Sequence, residues 1–435
     1  MSNCNYPAIK NRRLAQKINT FKAFRSRNYT LYFVGRSVSQ FGTWMQRTAV
    51  VWVIYTMTHS AFMLGVTIFA EQFPSFILSL LGGIASDRYD RYKIVKITQI
   101  ASMVQATVLA VLMITGTQAV WSILVLSVLL GIINAFDVPA RQALIHEVLY
   151  EEADLPNALS LNSAMASLAR LAGPALAGII LQKLGAGTCF LLNAASFGTV
   201  IISLALMKLP PSRIYQKKNK VSTELKDGFV YLKKRQDLAL IITILALTSL
   251  LVLPYDTLLP LFAKIVFKGN AATFGYITSF IGLGAVGGTI FLASLKPATN
   301  LKRILIITII SLGIGLIFFS QIQNFWWAMP FAVIIGFGSV AQGTISNTII
   351  QMETSAKMRG RIISIMIMAM FGMLPLGSLV VGAVTQVIGA PNTILGQGIL
   401  ALVLAFYFRN ILSGKRQPAQ KITSDETKEV ILENI

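Results

Sequence analysis

Apolar residues in this chain gather into long runs broken by short polar turns, and the runs recur twelve times. They lie near residues 29 to 57, 61 to 86, 94 to 116, 120 to 146, 156 to 182, 187 to 208, 237 to 262, 271 to 294, 301 to 320, 325 to 350, 360 to 388 and 391 to 411. Each is long enough to cross about 30 Å of hydrocarbon as a helix rising about 1.5 Å per residue. The pattern predicts an all-α integral membrane protein with twelve transmembrane helices.

A longer polar stretch, residues 209–236, splits the runs six and six, which predicts two six-helix bundles, 29–208 and 237–411. Residues 1–28 form a basic tail, 412–435 a second tail, and Thr223 to Lys234 within the linker reads as an amphipathic surface helix. An even number of spans puts both tails on one side. Of the 38 basic residues, 32 fall in the tails and in the loops that share their side, and only Lys183, Lys264 and Lys268 fall opposite. Basic loops stay in the cytoplasm, so both termini are expected there, against an anionic leaflet of the inner membrane. Residues 1–28 also lack the apolar core and cleavage site of a signal peptide.

The two halves carry a weak internal repeat. Ala140 to Leu161 compares with Ile345 to Ile365, setting His146 against Gln351, and Pro174 compares with Pro375 further on. Such parallel repeats are the build of secondary transporters.

Composition agrees: 54% of residues are hydrophobic and 13% charged, where a soluble domain carries about 25% charged residues. The net charge of +21 would suggest nucleic acid in a soluble chain; here the placement of the basic residues assigns it to the membrane surface. Cys4 and Cys189 have no spacing for a disulfide framework or a metal site, and His59 and His146 are isolated. The GxGxxG string within Gly282 to Gly288 lies inside an apolar run with no strand before it, and no phosphate-binding nucleotide loop occurs. No cofactor, no metal and no enzymatic centre are expected.

Between the second and third runs stands a tight charged turn containing Asp87, Arg88, Asp90, Arg91 and Lys93. The pattern from Gly83 to Lys93 resembles the signature loop between helices 2 and 3 of the major facilitator superfamily. Asp90 stands where that loop usually has a glycine. The string AGPALAG, with Gly173, Pro174 and Gly178, is similar to a fifth-helix motif of the antiporters in that superfamily. NAFDVPARQALIHE and PNALSLNSA resemble its branch of enterobactin exporters and macrolide efflux proteins, and the resemblance runs from about Phe24 to Ile411. It implies a proton-coupled exporter of a siderophore or drug-like amphiphile, important for multidrug resistance or siderophore export. It also implies a gating role for Gly83, Asp87, Arg88 and Arg91, with Asp87 joining the halves near Arg359 when the carrier faces outward.

Charged residues inside the runs are the candidates for chemistry, because each costs about 2.5 to 3.5 kcal/mol near a helix centre. Arg36, Gln40 and Arg47 share one face of the first span, with Trp44 nearby, and Arg170 lies mid-way along the fifth. Arg36, Gln40, Trp44 and Arg170 are the candidate cavity residues. Glu71 lies at the depth of Arg47 on the next span, so the two form either a structural ion pair or a proton-coupling pair. Asp256, between Pro254 and Pro260, is a third coupling candidate or a cap near the external end. Asp137 and Arg141, one helical turn apart, suit a local ion pair. A lipid transporter of the same fold, or a membrane sensor, is the alternative. The substrate, the ion and the oligomeric state are not legible.

Overall fold

Capping side chains set where the helices begin. In the computed structural model, which describes residues 21–208, 221–296, 299–355 and 358–414, α1 (Arg27–Thr58) starts at Ser26, whose hydroxyl accepts from the Tyr29 amide at 3.3 Å. It stops at His59, whose left-handed backbone (φ 51°) turns the chain straight into α2 (Ala61–Arg88). Asp90 caps α3 (Arg91–Ile114): its Oδ1 accepts from the amides of Tyr92 at 3.0 Å and Lys93 at 3.5 Å. The departure from glycine in the charged turn therefore supplies a helix cap. The other helices are α4 (Val120–Val148), α5 (Leu155–Leu184), α6 (Ala186–Leu206), α7 (Val221–Lys234), α8 (Gln236–Leu251), α9 (Ala271–Ala293), α10 (Leu301–Gln321), α11 (Phe325–Glu353), α12 (Arg359–Ile388) and α13 (Ala390–Gly414). Residues 1–20, most of the N-terminal tail, lie outside the described residues, as do 209–220 of the linker and 415–435 of the second tail.

Among the described residues, 11 helical segments are long and apolar enough to cross a membrane, one of them Gln236–Val266. The twelfth long helix, α1, has 32 residues, and its polar stripe lowers its apolarity. Lipid-facing surfaces follow helical spacing: Ile97, Val104, Val108 and Val111 are all exposed along α3. The protein is an all-α, multi-pass integral membrane protein.

Helices α1 to α6 pack chiefly on one another, and so do α8 to α13. In lipid the hydrophobic effect gives helices little reason to associate, so small residues and internal hydrogen bonds carry the load. A methyl group at Gly131 of α4 would fall on the Glu71 carbonyl of α2; 205 residues later one at Gly336 of α11 would fall on the Ile281 carbonyl of α9. The same close crossing thus recurs in both sets. So does an ion pair at the adjoining helix ends: Arg91 to Glu147 at 2.8 Å, and Lys302 to Glu353 at 3.0 Å. Within the first set, the Asn193 side-chain amide donates to Gln46 Oε1 (2.7 Å), Gln46 Nε2 to Gln105 Oε1 (3.0 Å), and Gln105 Nε2 to the Leu126 carbonyl (3.1 Å). This chain ties α1, α3, α4 and α6 together in the buried interior. The amphipathic α7 rests on α12 through Asp227 and Arg361 (3.0 Å).

The two sets touch along α2 with α12 and along α5 with α9, and the contact is one-sided. On the face away from the charged turn, methyl groups at Gly382 and Gly178 would meet the carbonyls of Ala61 and Ala271 at 2.8 and 2.6 Å. Gln386 donates to the Ser60 hydroxyl at 2.7 Å, and Trp52 of α1 stacks on Phe274 of α9 with ring centres 6.0 Å apart. Towards the charged turn the same helix faces separate. Ser160, Ser163 and Ala164 on α5, Ser79 and Leu80 on α2 and Ser364 and Met368 on α12 are exposed, and nothing lies within 4 Å of a methyl group at Gly83 or Gly360. The molecule is open on the basic face and sealed on the other.

Gln105→Ala should leave the Gln46 amide without its acceptor and lower stability by about 1 to 2 kcal/mol. Thermal unfolding of the purified protein in detergent measures this; an unchanged midpoint would show that the amide chain contributes nothing.

Candidate functional site

Backbone geometry divides the polar stripe of α1 into two stations about 16 Å apart, since eleven residues at about 1.5 Å each separate Arg36 from Arg47. The station nearer the basic face holds Arg36 within electrostatic range of Tyr32, Arg141 and Asp137. Asp137 is buried at 2% exposure and fully engaged: Arg141 lies at 2.8 Å, and Thr98 and Gln99 each donate to Oδ1 at 2.9 Å. The i, i+4 pair is formed, and α3 and α4 share it.

At the deeper station the Trp44 indole is the centre. The guanidinium carbons of Arg47 and Arg170 lie 5.6 and 5.4 Å from its ring centre, within cation–π range. Trp44 can sit there because α5 has Gly173 at the crossing; a methyl group would come within 2.6 Å of the Trp44 Cβ. Pro174 and Gly178, one turn further on, face Gly275 and Ala271 of α9. One short motif therefore seats the indole on one side and carries the contact between helix sets on the other.

Asp256 approaches from the other set. It lies within electrostatic range of both Arg47 and Arg170. Its two prolines do not end the span: the chain continues through a 3-10 turn (Leu253–Leu258) and a π turn (Phe262–Val266), ten residues past the aspartate. Beside it, Tyr255 is buried.

Glu71 is half-buried on α2, and no ion pair joins it to Arg47 among the described residues. No hydrogen bond or ion pair fixes the side chain of Glu71, Arg36, Gln40, Arg47 or Arg170 within the described structure. Arg170 is exposed, while Arg36, Gln40, Trp44, Arg47 and Asp256 are half-buried, so these groups keep access to solvent between the helix sets. In the charged turn, Asp87 and Arg88 are exposed, and Arg91 is held by Glu147 and by the Ser86 carbonyl at 3.2 Å. Among the described residues no group of three His, Cys, Asp or Glu is placed to hold a metal.

Sequence reasoning missed the Trp52–Phe274 stack and the Gln46–Gln105–Asn193 chain. Polar residues in apolar runs signalled the latter, but partners on four helices are not legible from spacing. The placement of Asp256 is testable: in a background lacking Cys4 and Cys189, Arg47→Cys with Asp256→Cys should be joined by a short bifunctional thiol reagent. Failure to cross-link, while each thiol alone is labelled, would contradict this geometry.

The profile of the family described as transmembrane secretion effector matches residues 18–434. The chain is similar to the staphyloferrin A transporter of Staphylococcus aureus (strain NCTC 8325 / PS 47), 28% identical over 391 residues that cover 88% of this chain and 96% of the relative. It is also similar to the multidrug efflux pump Tap of Mycolicibacterium fortuitum, 22% identical over 363 residues, 81% of this chain and 88% of Tap. Among solved structures it shares the fold of the nucleoside transporter NupG (TM-score 0.68, 14% identity, 88% of this chain and 99% of NupG). A POT family transporter in complex with 5-aminolevulinic acid has the same fold (TM-score 0.69, 12% identity, 90% of this chain and 97% of that one).

Proposed function

The chain belongs to the transmembrane secretion effector family of the major facilitator superfamily, and from that premise we propose that it exports a small amphiphilic compound by alternating access driven by proton antiport. A secondary transporter of this superfamily is not an enzyme; its work is to move a site from one side of the membrane to the other. The observation that carries the reading is the station around Trp44: unpaired charges from both helix sets, open to the basic face and closed beyond Trp52 and Phe274.

In this reading α1 is the twelfth span, and the two sets are six-helix halves, 29–208 and 237–411, joined by the linker 209–236. The recurrence of the Gly131 crossing at Gly336, and of the Arg91 to Glu147 pair at Lys302 to Glu353, supports the division. The concentration of basic residues supports placing the charged turn and both tails in the cytoplasm, so the sealed face is external and the conformation is inward-open. The names of the relatives support a siderophore or drug-like substrate, and efflux as the direction.

Coupling requires a carboxylate that titrates. Asp137 is committed to Arg141, Thr98 and Gln99, which leaves Glu71 and Asp256 within the spans. Asp256 faces Arg47 and Arg170 and serves as their counter-ion; Glu71, without a fixed partner, carries the proton. Glu71→Gln should abolish efflux driven by a pH gradient from proteoliposomes while substrate binding is retained. Normal gradient-driven efflux by that variant would remove Glu71 from the mechanism. Asp87, exposed in the inward-open form, is free to meet the start of α12 when the cytoplasmic ends close. Helix N-termini favour negative charge by about 0.3 to 1 kcal/mol. Asp87→Asn should enrich the inward-open population, read as greater labelling of a cysteine at Ser163; unchanged labelling and export would reject the role.

A further inference from the structure

We infer that Arg47 and Arg170, gathered over the Trp44 ring, form a receptor for a carboxylate of the substrate, and that Asp256 is the negative charge standing near that place when the carrier is empty. The inference rests on the export reading and names the class of compound exported: an organic polyanion with a flat or apolar body.

The argument begins with charge. Arg47 and Arg170 bring two positive charges to one aromatic ring, and Asp256 brings one negative charge across the interface, with Tyr255 beside it. The station therefore keeps an uncompensated positive charge. The outer station adds another, because Asp137 and Arg141 neutralise one another and leave Arg36 without a counter-charge of its own. A cationic amphiphile entering from the basic face would meet this surplus twice before reaching Trp44. An anion meets a favourable field throughout.

Hydrogen bonding points the same way. A guanidinium offers five donors in a fork that matches a carboxylate. Among the described residues neither Arg47 nor Arg170 gives any of its donors to a protein acceptor or sits in a salt bridge of 4.0 Å or less. Structural arginines inside this protein look different: Arg141 and Arg91 each hold a carboxylate at 2.8 Å. Asp256 approaches without closing on either arginine, so an incoming carboxylate need break no direct pair to reach them. The Trp44 face between them supplies an apolar wall for the body of the ligand.

The arrangement also agrees with the energetics of export. An anion leaving an inside-negative compartment moves down the electrical potential. The membrane potential thus adds to whatever the proton on Glu71 contributes.

Full-length protein in nanodiscs is titrated by calorimetry with benzene-1,3,5-tricarboxylate, with its neutral triamide and with tetraphenylphosphonium. The tricarboxylate is expected to bind, and the other two to bind at least roughly tenfold more weakly. Arg47→Gln and Arg170→Gln should each weaken the tricarboxylate roughly tenfold or more. Asp256→Asn should tighten it, because the competing negative charge is gone; an aspartate needed only to hold the two arginines in place would weaken binding when changed. Absence of tricarboxylate binding to the wild-type protein, preference for tetraphenylphosphonium, or weaker binding by Asp256→Asn overturns the inference. Efflux separates the two readings. If tetraphenylphosphonium or the triamide leaves proteoliposomes while the tricarboxylate does not bind, export stands and the anion receptor falls. If the tricarboxylate binds with the expected variant pattern but is retained in proteoliposomes under a pH gradient and an inside-negative potential, the receptor stands and export falls.

Discussion

An unpaired guanidinium in a slab of hydrocarbon must be either neutralised or wetted, and this requirement governs the whole interior. Arg36, Arg47 and Arg170 together would cost several kcal/mol if lipid surrounded them. Among the described residues no fixed partner relieves them, so water must reach them, and water reaches them only if the two helix sets stand apart over half the membrane depth. The open chamber and the unpaired charges are one fact seen twice. Asp137 shows the contrast: where the interior is closed, a charge is held by an arginine, a threonine and a glutamine at once.

The other half of the depth is closed by the opposite means. Small residues bring backbones together at Gly178 and Gly382, and aromatic rings fill the gap at Trp52 and Phe274. No charged group takes part in these contacts. Dispersion across a thin, apolar seal can be given up and regained on the other side of the site, because its loss exposes no unsatisfied donor or acceptor. Within each set the bonds are of a kind that does not part easily: the Gln46–Gln105–Asn193 chain ties α1, α3, α4 and α6, and an ion pair at the helix ends joins α3 to α4 and, in the second set, α10 to α11. Rigid halves, a weak seal and a charged middle are the physical ingredients of a rocking carrier.

Much of this was legible before any coordinates. Helix positions followed from run length, the charged turn from its five ionisable residues, and the amphipathic linker helix from its spacing; Thr223 to Lys234 lies within the described helix Val221–Lys234. Gly173, Pro174 and Gly178 drew notice as a packing string, and they lie where α5 crosses α1 and α9. What spacing could not give was which helices meet. Equal depth on consecutive helices put Arg47 opposite Glu71, yet no ion pair joins those two among the described residues, and Asp256, some two hundred residues away between two prolines, comes within electrostatic range of Arg47. Proline stops a helix when nothing replaces the lost hydrogen bond; here 3-10 and π turns carry the chain past it.

The central claim is that seal and opening exchange sides about the station at Trp44. Double electron–electron resonance in nanodiscs tests it with one spin-label pair at Ser79 and Ser364, where the halves stand apart, and another at Phe62 and Gln386, where they touch. The account predicts two distance populations for each pair, with weights that are complementary: conditions that shorten the first distance lengthen the second. Both distances rising or falling together, or one pair changing while the other stays fixed, would contradict it.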